Sequence, residues 1–283
     1  MDNKYMIKNI PIRFFVITFI WAWAFFAPLF LAGIGFLSEY KELILGLKEL
    51  IKVIACFGPA VGAIVSIYTL NGKDSLKKYI SSFLSIKFGT KIWILIFSIA
   101  GIFSISWIIP ELFGFPRLKS SLSGINNIPT IFVFIVFWII CVLFGGGQEE
   151  IGWRGYVMPF LENKYGYITG SLILGIIWTF WHLPLFFIPG TIQSQINFFC
   201  YMLLLIGYSY FFSWIINLSK NKLLSGLIAH GTVNAFFELF PPVVNESNDL
   251  QIRLWILSIL TFVVGGIIVI TRTMKYKSSP NVV

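Results

Sequence analysis

The sequence predicts an all-α, polytopic membrane protein of about eight transmembrane helices, on three observations. Of its 283 residues, 57% are hydrophobic and only 12% are charged, with a mean hydropathy of +0.85. A soluble domain carries about 25% charged residues, so this composition excludes a large soluble domain and a disordered chain alike. The apolar residues fall into runs long enough to cross a bilayer, which takes about 20 residues of helix. The few polar groups inside those runs gather in three neighbouring segments.

The first run, 14–37, follows Lys4, Lys8 and Arg13 and contains a weak small-x-small site at Ala22-Trp23-Ala24. It continues to about Leu37, longer than the core of a signal peptide, and is read as a retained first span. Runs 50–70 and 92–110 flank a basic stretch. Within it, residues 76–87 mix apolar and basic side chains, as either an amphipathic surface helix or an ordinary loop would. Run 129–147 ends in Gly145-Gly146-Gly147, which can kink or locally open a helix. Run 168–189 carries His182, and Pro184 weakens the helix beyond it. Runs 196–218, 223–243 and 251–271 complete the set. Connections are short, with no low-complexity linker or internal repeat, so residues 1–283 form one domain whose motif-bearing core is about 129–243.

Of the 21 Lys and Arg residues, 15 lie on one side if both termini are cytoplasmic, which predicts an even number of spans. The same bias explains the net charge of +9 through lipid rather than nucleic acid, so the expected partners are the bilayer and a peptide or protein substrate, with no nucleic acid. Cys56, Cys141 and Cys200 sit in apolar stretches at spacings that match no disulfide or metal framework, and read as small hydrophobes.

Titratable groups inside a membrane are costly, and the default reading is function. Both histidines of the chain, His182 and His230, are of this kind. Glu149 and Glu150 are adjacent, so on a helix they point about 100° apart and cannot serve one point. Glu150 can pair with Arg154 four residues on, leaving Glu149 as the better general base; alternatively all three cap a span at the surface. Trp178 and His182 share a helix face, and a neutral imidazole near Glu149 could accept or orient a water proton. His230 and Asn234 also share a face, a spacing that suits two donors on an oxyanion and equally suits interhelical hydrogen bonding. Glu238 lies about 12 Å further along that helix, as an outer polar residue. One distance does not close. Glu149 sits near the end of its span and His182 about 14 residues into the next, or about 20 Å along a straight helix. Their pairing requires residues 156–167 to dip into the membrane, or the fifth span to begin later.

The motifs Glu149-Glu150-Ile-Gly-Trp-Arg154, Trp178-Thr-Phe-Trp-His182 and His230-Gly-Thr-Val-Asn234, with Phe57-Gly-Pro-Ala60 upstream, resemble those of the CAAX protease and bacteriocin-processing (CPBP, or Abi) family of intramembrane endopeptidases, which includes the type II CAAX prenyl endopeptidases. Trp178 stands where phenylalanine is commoner. The resemblance implies an eight-helix fold around an intramembrane site, with Glu149 and His182 activating water, His230 and Asn234 stabilising the oxyanion, and Glu150 and Arg154 in support. Metal-independent chemistry is expected, with no required cofactor. The alternative is a divalent metal such as zinc on Glu149, His182 and His230, although no His-Glu-x-x-His motif is present. Further expectations are a bacterial plasma-membrane location, a non-prenylated substrate, and a role in peptide maturation or bacteriocin self-immunity. The competing readings are a non-catalytic immunity or scaffold protein and a proton-coupled transporter; no inverted pair of broken spans supports the latter.

Overall fold

The computed structural model describes residues 10–81, 83, 88–125, 128–242 and 251–278, with side chains as far as 271. Every described element is helical. The chain forms α1 (Ile12–Gly33), α2 (Lys41–Gly46), α3 (Lys48–Cys56), α4 (Gly58–Ser81), α5 (Thr90–Phe97), α6 (Ile99–Leu112) and α7 (Thr130–Phe144). A short 3₁₀ turn, Gly147–Glu149, leads into α8 (Glu150–Gly152), a π-helical turn at Trp153–Val157, and α9 (Met158–Tyr165). The remainder is α10 (Tyr167–Trp181), α11 (Phe198–Leu218), α12 (Leu223–Leu239) and α13 (Ile252–Ser278). Of the stretch 76–87, residues 76–81 end α4, and most of the rest lies outside the described residues.

All eight apolar runs fall on helices. Among the described residues, seven helical stretches are long and apolar enough to span a membrane; the other, α12, is apolar but has only 17 residues. The fourth run differs most from expectation. It does not stop near the glycines but resumes as helix, giving a stretch of 36 residues, Thr130–Tyr165. This continuation closes the distance that the sequence left open. From Glu150 the chain climbs to Tyr165, turns at Gly166, and returns through the 15 residues of α10 to His182. At 1.5 Å per residue both legs are about 23 Å, so the two ends come level.

The architecture is organised around α11, which is apolar on every face and buried along most of its length, as expected of a helix inside a bundle. It packs against α10, α12 and α13. Tryptophan N–H groups tie the other helices to the same centre. Trp138 of α7 donates to Thr232 of α12 at 2.8 Å, and Trp181 of α10 donates to the Thr18 carbonyl of α1 at 3.3 Å. Tyr79 of α4 donates to the Ile151 carbonyl of α8. An apolar solvent gives helices little hydrophobic reason to associate, so close packing and such bonds must hold them.

Gly207 shows how close that packing is. A methyl group there would lie 2.7 Å from both the Phe262 backbone nitrogen and the Thr261 carbonyl carbon of α13. Backbone atoms have no rotamer to change, so the helices would have to part. Gly207→Ala should therefore destabilise the protein by about 1–3 kcal/mol, read as a lower thermal midpoint in detergent; an unchanged midpoint would contradict this packing.

Candidate active site

The site is built on the break between α7 and α8. A helix opened inside an apolar medium must find new partners for its freed backbone groups. Here Gln148 accepts from the Gly146 N–H at 3.0 Å through Oε1 and donates to the Phe144 carbonyl at 3.0 Å through Nε2. Asn234 of α12 donates to the Gly145 carbonyl, and the Glu149 N–H reaches the Gly146 carbonyl at 2.9 Å. Gly146 has φ +121°, a conformation that side-chain-bearing residues rarely adopt. A Cβ there would also lie 2.5 Å from Asn234 Nδ2 and 2.6 Å from His230 Nε2.

The break turns the two glutamates apart. Glu150 is fully buried, and its Oε1 accepts from Arg154 Nη1 at 3.0 Å and from His230 Nδ1 at 2.8 Å. The i, i+4 pairing read from the sequence is present, but it is one half of a three-residue chain that crosses to α12. The Arg154 guanidinium also lies over the rings of Trp178, at 4.9 Å, and Phe212, at 5.2 Å. Those ring faces matter because its Nε and Nη2 have no hydrogen-bond partner among the described residues. Phe212 in turn stacks on His230 with centroids 5.0 Å apart.

Glu149, 2% exposed, has no partner on its own helix and accepts the Trp178 indole N–H at 2.8 Å through Oε2. The Cys56 thiol lies against the same carboxylate, at the end of α3 just before Phe57-Gly-Pro-Ala60. Its apolar setting gave no sign of this position; only its place beside that motif could have. His182 caps the end of α10, where Pro184 stops the helix, and its Nδ1 bonds to the Trp178 carbonyl at 2.9 Å. A carbonyl can only accept, so Nδ1 carries the proton and Nε2 presents its lone pair. The imidazole is packed between Trp181 and Tyr201, at 4.6 Å and 5.6 Å.

All six residues picked from the sequence thus lie around one locus. Glu150, Arg154 and His230 are directly bonded. Glu149 and His182 are joined through Trp178 rather than to each other. Asn234 bonds the broken backbone beside His230. Glu238 contributes its backbone carbonyl, which accepts from the Ser121 N–H at 3.1 Å.

Residues 131–236, which hold all three motifs, match the family described as type II CAAX prenyl endopeptidase Rce1-like. The chain is also 25% identical over 219 residues to CAAX prenyl protease 2 of Methanococcus maripaludis, covering 74% of this chain and 77% of the relative. The likeness to type II CAAX prenyl endopeptidases that the motifs carry therefore holds, and it supports a membrane endopeptidase in broad terms.

The structure does not draw Glu149, His182 and His230 together as a metal-ligand set. Among the described residues, no three His, Cys, Asp or Glu side chains are grouped as a ligand set.

The two glutamates should respond differently to loss of charge. Glu150→Gln leaves Arg154 buried without its counter-ion, which costs about 3–5 kcal/mol and should lower the thermal midpoint sharply. Glu149→Gln keeps an acceptor for Trp178 and should leave the midpoint near wild type. Equal midpoints would contradict this division of labour.

Proposed function

We propose that the protein is an intramembrane endopeptidase that hydrolyses a peptide bond in a membrane-associated peptide or protein, without a metal. The observation that carries this reading is the separation of the carboxylates: Glu150 is committed to Arg154 and His230, whereas Glu149 meets only the Trp178 indole N–H and the Cys56 thiol and, with about four lone-pair sites, keeps capacity for a water. One water O–H bonds to Glu149 and the other to the lone pair of His182 Nε2. As the water oxygen adds to the carbonyl carbon, its proton passes to Glu149. The C–N bond then breaks, and Glu149 returns that proton to the leaving amine.

The oxyanion is met by His230 Nε2 and Asn234 Nδ2, which converge beside Gly146. Asn234 has a second N–H beyond the one on the Gly145 carbonyl. His230 donates through Nδ1 to Glu150, so its Nε2 serves as the second donor to the oxyanion when the ring carries both protons. The role proposed with this activity is peptide maturation or bacteriocin self-immunity in a bacterial plasma membrane, and the Lys and Arg bias supports placing both termini in the cytoplasm. The name of the archaeal relative favours a second substrate class, a prenylated CAAX tail.

The test is cleavage of fluorogenic membrane-associated peptides, with and without a prenyl group, by purified protein in lipid vesicles. Glu149→Gln should lower turnover by about 10²–10⁴-fold, and wild-type activity should persist through exhaustive chelation. Full activity in Glu149→Gln would remove the base. Loss on chelation, restored by zinc, would remove the metal-independent version.

A further inference from the structure

Trp178 touches four of the site residues through its indole N–H, its backbone carbonyl and its ring. Its indole N–H donates to Glu149 Oε2 at 2.8 Å. Its backbone carbonyl accepts from His182 Nδ1 at 2.9 Å. One ring face lies under the Arg154 guanidinium, 4.9 Å from the ring centroid. The His230 ring meets it edge-on at 5.1 Å. The residue is 2% exposed, so none of these contacts competes with bulk water.

From this geometry we infer that Trp178 is a positioning residue for the peptidase reaction, acting through its indole N–H to aim Glu149. The inference rests on the proposed function, in which Glu149 is the base. A carboxylate held on one oxygen by a fixed donor has lost its rotation about the last side-chain bond. Its other oxygen is then directed to one place, and that placement is worth rate rather than binding. The carbonyl of the same residue selects the His182 tautomer, with its lone pair at Nε2. One rigid, buried ring thereby sets both groups that hold the water. Phenylalanine would retain the carbonyl and the ring faces but would leave Oε2 without its donor.

The experiment compares wild type, Trp178→Phe and Glu149→Gln in lipid vesicles, using the fluorogenic peptide cleaved best by wild type. Trp178→Phe should lower kcat about 10–100-fold with KM within about twofold, because the ground-state complex does not use the N–H. ¹⁵N-indole spectra of the protein in micelles supply a readout independent of turnover. The resonance that disappears in Trp178→Phe should move when Glu149→Gln replaces a charged acceptor by a neutral one. Should Trp178→Phe fail to fold, benzothienylalanine at position 178 exchanges N–H for sulfur at constant ring size and serves both readouts.

Wild-type kcat in the variant, a loss carried by KM, or an indole resonance unmoved by Glu149→Gln would each overturn the inference. The failure of the underlying reading is distinguishable: it appears as full activity in Glu149→Gln, whatever Trp178→Phe does.

Discussion

Glu150 accepts on a single oxygen from Arg154 of the π-helical turn and from His230 of α12, in a region where all three side chains are almost wholly buried. An unpaired charge here would cost several kcal/mol, so none of the three can be placed without the others. These bonds fix α12 against the fourth helical stretch and leave Nε2 of His230 facing Gly146. They also hold the guanidinium between the rings of Trp178 and Phe212. Glu149 stands apart from this group because its neighbour takes both Arg154 and His230.

The glycine break makes this separation possible. An unbroken helix would continue α7 straight past Glu149. With Gly146 at positive φ, the chain changes direction in the interior while Gln148 partners the Gly146 N–H and the Phe144 carbonyl and Asn234 partners the Gly145 carbonyl. The helix beyond the break is long enough to return His182 to the level of Glu149. Asn234, which bonds the opened backbone, also lies with His230 Nε2 beside Gly146, so it takes part both in the break and in the proposed oxyanion contact.

The helices and the intrahelical spacings were legible in the sequence because both depend on local order. Each of the eight apolar runs became helix, and Glu150–Arg154 and Trp178–His182 met as i, i+4 pairs. Contacts between distant segments were not legible in the same way. Spacing could not reveal that Glu150 reaches His230, that Asn234 bonds the Gly145 carbonyl, or that the Trp178 N–H ends on Glu149. Cys56 read as a small hydrophobe because nothing within its own helix marks it; only the packing of α3 against the site brings it to Glu149. The apolar pattern stops at Glu149, Glu150 and Arg154, which is why the sequence predicts a shorter fourth run. Glu150 and Arg154 are paired inside the protein, and the helix continues beyond them.

Cys56 beside Glu149 also defines the sharpest rival chemistry, in which a side chain rather than water attacks the carbonyl. The most direct test is mass spectrometry of the cleavage products formed in ¹⁸O-water containing hydroxylamine. Direct attack by water gives only the carboxylate product, with one ¹⁸O in the new carboxyl group and no hydroxamate. A hydroxamate would show that hydroxylamine had intercepted an acyl-enzyme on a side chain, and would contradict the role given to Glu149.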